Sequence, residues 1–246
     1  MKVLRDLEID INEDIFISGL SSSSKLVEKD QCFIALQGLR SHGIDYIDDA
    51  IANGANCVLH NKKDYHEQHK IPCFFVEDLF ERQKEIYLNF YNICEKNLKF
   101  LVFTGTNGKT STAFFSYQIL LKKNKDAILA GTLGLESRTR FKETKNTTPN
   151  LFELFKFISK EKYKDDLFIC IEASSHGLDQ NRLTGIGAET RAILNIEQDH
   201  LDFHKSMQNY IGSKLKILDF FSHNKTILNG DSVSYTHLRA HETIDD

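Results

Sequence analysis

The sequence has no long run of basic residues, and its formal net charge is −4 over 246 residues. That balance argues against nucleic acid as the main partner and for a small molecule. It also has no C-x-x-C pair. The five cysteines, Cys32, Cys57, Cys73, Cys94 and Cys170, are odd in number and scattered. They indicate neither a disulfide framework nor a zinc site, and point to a reducing cytosol. No apolar run reaches membrane-spanning length, and the opening MKVLRDLEID lacks the apolar core of a signal peptide, so neither insertion nor export is expected. Internal repeats and low-complexity segments are missing too. What is there is a globular composition, 41% hydrophobic, of a length that fits one large domain or two smaller ones.

The most informative stretch is Lys99 to Ser111, KFLVFTGTNGKTS. An apolar run from Phe100 to Phe103 predicts a buried strand. It stops at a turn holding Gly105 and Gly108, and Lys109-Thr110 opens a helix. Glycines let backbone N–H groups approach a polyphosphate, and a helix N-terminus adds positive partial charge. Lys109 can then neutralise phosphate oxygens while Thr110 holds Mg²⁺. Phe103 stands where the common G-x-x-x-x-G-K-[ST] pattern has its first glycine. A glycine turn before a helix can be a mere connection; strand, G-K-T and helix in this order favour a nucleotide site, with Gly105, Thr106, Asn107, Gly108, Lys109, Thr110 and Ser111 as its lining.

Ahead of this loop the pattern predicts a small α/β domain over residues 1–97. Its strands are Cys32–Leu36, Ala55–Leu59 and Pro72–Val76; its helices are Tyr46–Asn53 and Glu77–Tyr91. The loop Ser21 to Lys25 is either its ligand-binding element or a solvated serine turn. After the phosphate loop come a helix Ser111–Leu121, a strand Ala127–Leu133, a helix Leu151–Lys160 and strands Leu167–Ile171 and Ala192–Ile196. A helix Tyr210–Phe221 and a strand Thr226–Leu228 follow. Strands without polar alternation, separated by helices, imply a mostly parallel sheet covered on both faces, here over residues 98–231. Ligands gather at the carboxyl ends of such strands.

Three strand ends carry chemistry. Besides the phosphate loop, Glu172 follows Leu167–Ile171, and Asp199-His200 follows Ala192–Ile196. A carboxylate at the crevice mouth suits Mg²⁺, although a strand-end Glu can equally face water. A lone His such as His200 is more often structural than a ligand. Lys214, within a helix, has no role on this reading.

TGTNGKTS, together with Asn146-Thr-Thr-Pro, Glu172-Ala-Ser-Ser-His-Gly-Leu-Asp-Gln-Asn-Arg182 and Asp199-His-Leu-Asp-Phe-His204, resembles the Mur ligases of peptidoglycan synthesis. The Ser-Ser-His-Gly-Leu segment is most similar to their diamino-acid-adding subgroup. The resemblance implies a cytoplasmic ATP- and Mg²⁺-dependent acid–amino-acid ligase with a small UDP-binding domain ahead of the ATP-binding one. It would add meso-diaminopimelate, or alternatively L-lysine, to UDP-N-acetylmuramoyl-L-alanyl-D-glutamate through an acyl phosphate. It carries Asn146, Thr147, Thr148, Ser174, Gln180 and Arg182 onto sugar-peptide contacts and Ser24 onto a uridine-contacting loop. Glu172 and His200 match Mg²⁺ ligands beside Thr110, and Lys214 matches a lysine carried as a carbamate, which gives it oxygen donors for a metal. Lys109, Glu172, His200 and Lys214 are thus the implied catalytic set. Two departures stand in the first domain: Ser23-Ser24-Lys25 replaces the family's Asp-Ser-Arg, and His42 replaces an acidic residue before Gly43. Other Mur ligases share the loop, and a nucleotide-binding regulatory ATPase would also carry it. The resemblance further implies a monomer when full length. Residues 232–246, SVSYTHLRAHETIDD, match nothing in the family and have no period, so a C-terminally truncated chain with a non-native or disordered tail, inactive by itself, is expected.

Overall fold

The computed structural model describes residues 1–230 except 10, 12, 39, 40, 67, 68 and 221–224. The expected tail 232–246, the expected helix end at Phe221 and the expected domain end at Asp231 lie outside the described residues. The strands are β1 (Lys2–Val3), β2 (Phe16–Ile17), β3 (Gly19–Ser21), β4 (Gln31–Ala35), β5 (Ala55–His60), β6 (Cys73–Phe75), β7 (Leu98–Thr104), β8 (Asp126–Gly131), β9 (Gly134–Ser137), β10 (Phe141–Lys142), β11 (Leu167–Glu172), β12 (Ala188–Ile193) and β13 (Lys225–Leu228). The α-helices are α1 (Ile47–Ala52), α2 (Gln83–Tyr91), α3 (Lys109–Lys122), α4 (Leu151–Ile158), α5 (Ser175–Asp179), α6 (Leu201–His204) and α7 (Met207–Phe220).

The chain divides into two compact units, Met1–Ile93 with Leu151–Ser159, and Cys94–Asn150 with Lys160–Asp246. The first contains an all-parallel sheet in the order β3-β4-β5-β6. Phe33, Ala35 and Val58 of this sheet pack with Ile47 and Ala50 of α1. The order of the chain assigned Leu151–Lys160 to the later domain, whereas α4 packs in the first unit. The reason is its composition: Leu151, Phe152, Leu154, Phe155, Phe157 and Ile158 are all buried. A helix apolar everywhere but along the strip of Glu153 and Lys156 must be covered on most of its surface, and Tyr87 of α2 meets Phe152 and Phe155 at ring separations of 6.1 and 6.2 Å. α2 itself begins at Gln83, six residues later than its apolar period suggested, after a turn over residues 77–82.

The second unit is built on a seven-stranded sheet, β10-β9-β8-β11-β7-β12-β13. The five strands from β8 to β13 run parallel, and β9 and β10 close one edge as antiparallel hairpins. The expected strand Ala127–Leu133 therefore ends early. Gly134, at φ 117°, reverses the chain after Thr132-Leu133 and sends β9 back along β8. Phe103, Leu129, Cys170 and Ala192 pack under Ala113 and Tyr117 of α3. The alternate residues Val102, Ile128, Ile169 and Ile171 are buried as well, so both faces of the sheet are covered. Each such side chain contributes roughly 1.5–3 kcal/mol of burial. Pairing of Glu172 with Phe103 and of Ile193 with Thr104 aligns the carboxyl ends of β11, β7 and β12, which puts three loops at one end of the unit.

Candidate nucleotide and metal site

The phosphate loop leaves β7 at Thr104. Gly108, at φ 83°, takes the left-handed conformation that a side chain resists, and α3 starts at Lys109. Fourteen residues of helix therefore aim their N-terminal N–H groups at the loop. Lys109 curls back, its Nζ donating to the carbonyls of Gly105 (2.8 Å) and Thr106 (3.0 Å). Burial lowers its pKa from the usual lysine range, while Glu172 and Asp199 oppose that shift.

Residues with no assigned role hold the loop from β12 and α7. Asn195 accepts from Asn107 N (2.8 Å) and returns a bond to its carbonyl (3.1 Å). Thr106 N donates to Asn195 O, and Thr106 Oγ1 bonds the backbone of Glu197 and the hydroxyl of Tyr210. Asn195 was hidden inside the expected strand Ala192–Ile196, whereas β12 ends at Ile193 and leaves Asn195 in the loop beyond it. Tyr210 carried no signal either.

Glu172 is 1% exposed and its carboxylate is fully engaged. Thr110 Oγ1 donates to Oε2 at 2.7 Å, Thr132 N to Oε1 at 2.8 Å, and Thr132 Oγ1 to Oε2 at 3.2 Å. The carboxylate thus lies at the mouth of the loop rather than in open water. Thr110 and Glu172 together offer hard oxygen donors, the chemistry a Mg²⁺ ion requires. Such an ion would also need nucleotide oxygens and water as ligands, because among the described residues no three His, Cys, Asp or Glu side chains converge to cage a metal.

The residues carried over as sugar-peptide contacts form a lattice next to Glu172. Thr148 is fully buried; its hydroxyl donates to the Glu172 carbonyl (2.9 Å) and accepts from Ser174 N (2.9 Å). Ser174 Oγ caps α5 by accepting from Gly177 N. Arg182 donates Nη1 to the Thr148 carbonyl, and Nε and Nη2 to Gln180 Oε1, which sets the orientation of its guanidinium. Thr147 Oγ1 lies 3.1 Å from Thr132 Oγ1, whose one proton goes to Glu172, and Asn146 and Ser111 are exposed.

His200 is not drawn directly to Glu172. It sits in a left-handed conformation, φ 51°, 3.5 Å from Asp199, and its ring meets that of His176 at 4.9 Å. Burial and the neighbouring His200 depress the pKa of His176. Lys214 is 1% exposed, and its Nζ lies 4.7 Å from the centre of the Tyr210 ring. Burial, reinforced by the charge of Lys109 and opposed by Asp199, brings its pKa down to about 7. Ser24 belongs to the first unit, where its carbonyl accepts from Asn53 Nδ2 and Ser21 Oγ closes the serine turn on Ser23. His42 has taken on a structural task there: its Nδ1 accepts from Ile44 N, in a reciprocal cap with Asp45.

A mostly parallel α/β sheet with a glycine loop opening a helix, and a carboxylate bonded to that loop's threonine, defines a phosphate-loop nucleotide-binding protein. Residues 103–244 match the Mur ligase middle domain, and residues 16–87 match the Mur ligase family, catalytic domain. The chain belongs to the Mur ligase family. UDP-N-acetylmuramoyl-L-alanyl-D-glutamate--2,6-diaminopimelate ligase of Fusobacterium nucleatum is 31% identical over 231 residues, 94% of this chain and 46% of that protein. The protein of the same name from Caldanaerobacter subterraneus is 35% identical over 213 residues, 85% and 43%. A solved structure bearing that name superposes with a TM-score of 0.76 at 25% identity, covering 98% of this chain and 50% of that one. MurF ligase from Thermotoga maritima in complex with ADP shares the fold at a TM-score of 0.59 and 20% identity, over 93% of this chain and 48% of that one. The chain spans about half the length of the curated relatives it matches. Among the described residues no helix is long and apolar enough to cross a membrane.

Proposed function

We propose that this chain carries the UDP-substrate part (residues 1–97) and ATP part (98–231) of a cytoplasmic amide ligase that adds a diamino acid, meso-diaminopimelate, to UDP-N-acetylmuramoyl-L-alanyl-D-glutamate. The observation that carries the proposal is the bond from Thr110 to the buried Glu172, beside Lys109 and the Thr148–Ser174–Arg182 lattice. ATP, with Mg²⁺, would supply the phosphoryl group that converts the D-glutamate carboxylate into an acyl phosphate open to attack by an amine. Phosphoryl transfer depends on positioning and charge neutralisation. Lys109 and the N-terminus of α3 neutralise the phosphates. Thr110 and Glu172, with His200, hold the cation. Arg182, oriented by Gln180, grips an anionic group of the UDP-linked substrate, a task for which its planar fork suits it. Asn146, Thr147, Thr148 and Ser174 line the same substrate, and Ser24 serves the uridine.

Lys214 acts as a carbamate. Its amine adds to CO₂ to give the N-carboxylate and release one proton, and burial supports the neutral amine that this step needs. The resulting oxygens assist Mg²⁺.

Calorimetric titration of the chain with Mg·ATP, and separately with the UDP-muramoyl dipeptide, tests the reading. We expect binding of both, with Lys109→Ala weakening the first at least ~100-fold, the scale on which a removed phosphate clamp is felt, and Arg182→Ala abolishing the second. Nucleotide binding without any uptake of the dipeptide at millimolar concentration would instead favour a regulatory ATPase.

A further inference from the structure

Tyr210 has no part in the chemistry proposed above, yet it touches both the phosphate loop and Lys214. It is fully buried on α7. Its hydroxyl lies 2.9 Å from Thr106 Oγ1 in the phosphate loop, and its ring lies 4.7 Å from Lys214 Nζ, one helical turn further on. The same ring is 5.3 Å from that of His204 and 6.4 Å from that of His200.

Proton accounting gives the bond a direction. Thr106 has one hydroxyl proton, and it donates that proton to the Glu197 carbonyl while accepting from Glu197 N. The tyrosine must therefore be the donor to Thr106. Desolvation favours the neutral phenol that this role requires. The hydroxyl oxygen lies on the axis about which the ring turns, so its bond to Thr106 sets the direction of that axis, and the His204 ring 5.3 Å away restricts the turn of the plane about it. The seat of the Lys214 amine, which rests on that plane, is then tied to the position of the loop.

We infer that Tyr210 is a positioning residue that couples the phosphate loop to Lys214, so that filling the loop with nucleotide phosphate shifts the Lys214 amine and a change at Lys214 is felt in the loop. Coupling of this kind is reciprocal. The inference rests on the reading of the loop as a nucleotide site.

Two measurements on the 246-residue chain test it. Hydrogen exchange in the absence of ligand should show the amides of residues 105–109 exchanging about fivefold faster in Tyr210→Phe, the scale of one lost hydrogen bond, with β11 unchanged. In a Thr106→Val background Tyr210→Phe should add nothing, whereas Thr106→Ser should retain wild-type exchange. In the second measurement, Mg·ADP should move the NMR resonances of the Lys214 ε-methylene in the wild type and leave them in place in Tyr210→Phe. Loop exchange within twofold of wild type, additive effects of the two substitutions, or an ADP response surviving in Tyr210→Phe would each overturn the inference. If the wild type takes up no ADP, the nucleotide reading falls, while the exchange measurement still decides whether Tyr210 anchors the loop.

Discussion

Glu172 and Lys214 are both 1% exposed, and the protein treats the two charges in opposite ways. The carboxylate accepts three hydrogen bonds from two threonines. The amine is given an aromatic face and the unfavourable charge of Lys109. Burying a charge costs several kcal/mol unless hydrogen bonds or a counter-charge offset it. At Glu172 that offset is present in the folded chain, so the carboxylate stands as a built acceptor for threonine or a cation. At Lys214 only the ring of Tyr210 and the charge of Asp199 offset it, and burial beside Lys109 favours loss of its proton.

The largest effect should come from breaking the satisfied site. Glu172→Ala leaves the Thr110 hydroxyl and the Thr132 N–H without their acceptor, and we expect a loss of ~3 kcal/mol in urea unfolding. A loss below ~1 kcal/mol would mean that the three bonds are only replacements for water.

Removing the unsatisfied charge should act the other way. Lys214→Met keeps the length of the side chain and discards the ammonium, so in CO₂-free buffer at pH 6 we expect a gain of ~2 kcal/mol. The sign with pH follows from the depressed pKa. Between about 7, the folded value, and the usual 10.5, the unfolded chain binds a proton that the folded chain does not, so wild-type stability rises with pH through that window. The advantage of Lys214→Met is therefore full below pH ~7 and vanishes toward pH ~10.5, and unfolding curves at pH 6, 8 and 9.5 should trace its decline. An advantage independent of pH would show that packing, rather than charge, separates the two proteins.

The smallest effect concerns the lattice beside Glu172. Thr148→Val removes a hydroxyl that bridges the Glu172 carbonyl and Ser174 N, and we expect ~1 kcal/mol of destabilisation. Together with Glu172→Ala the two losses should fall short of additive, because the groups share a network.

Much of this molecule is legible in its sequence because its central strands are apolar runs with a polar residue at each end. Phe100–Phe103 and Leu167–Ile171 were placed within two residues of β7 and β11, and the strand-end rule brought Thr110 and Glu172 to one end of the sheet. What stayed hidden depends on distance along the chain. Asn195 and Tyr210 reach Asn107 and Thr106 across 88 and 104 positions, and no local pattern encodes such bonds. The membership of α4 was hidden for a related reason: a helix with six apolar residues in eight announces that it will be covered, but not by what. Polar positions misled as well. Thr190 and Arg191 interrupt the apolar run, so β12 begins at Ala188 rather than Ala192; Arg191 belongs in the strand because its guanidinium caps the Leu218 carbonyl and bonds Thr226.

Gly131 touches no phosphate, metal or sugar in any reading above, and a Cβ placed on it would lie 2.1 Å from Glu172 Oε1. Gly177 stands in the same relation to Thr148, at 2.5 Å. In a saturation-mutagenesis map of this protein both glycines would therefore score like active-site residues, intolerant even of alanine. Their intolerance measures the room that the carboxylate and the threonine require, and an inventory of functional residues drawn from such a map would count two positions whose lack of a side chain, rather than any side chain, is what the site uses.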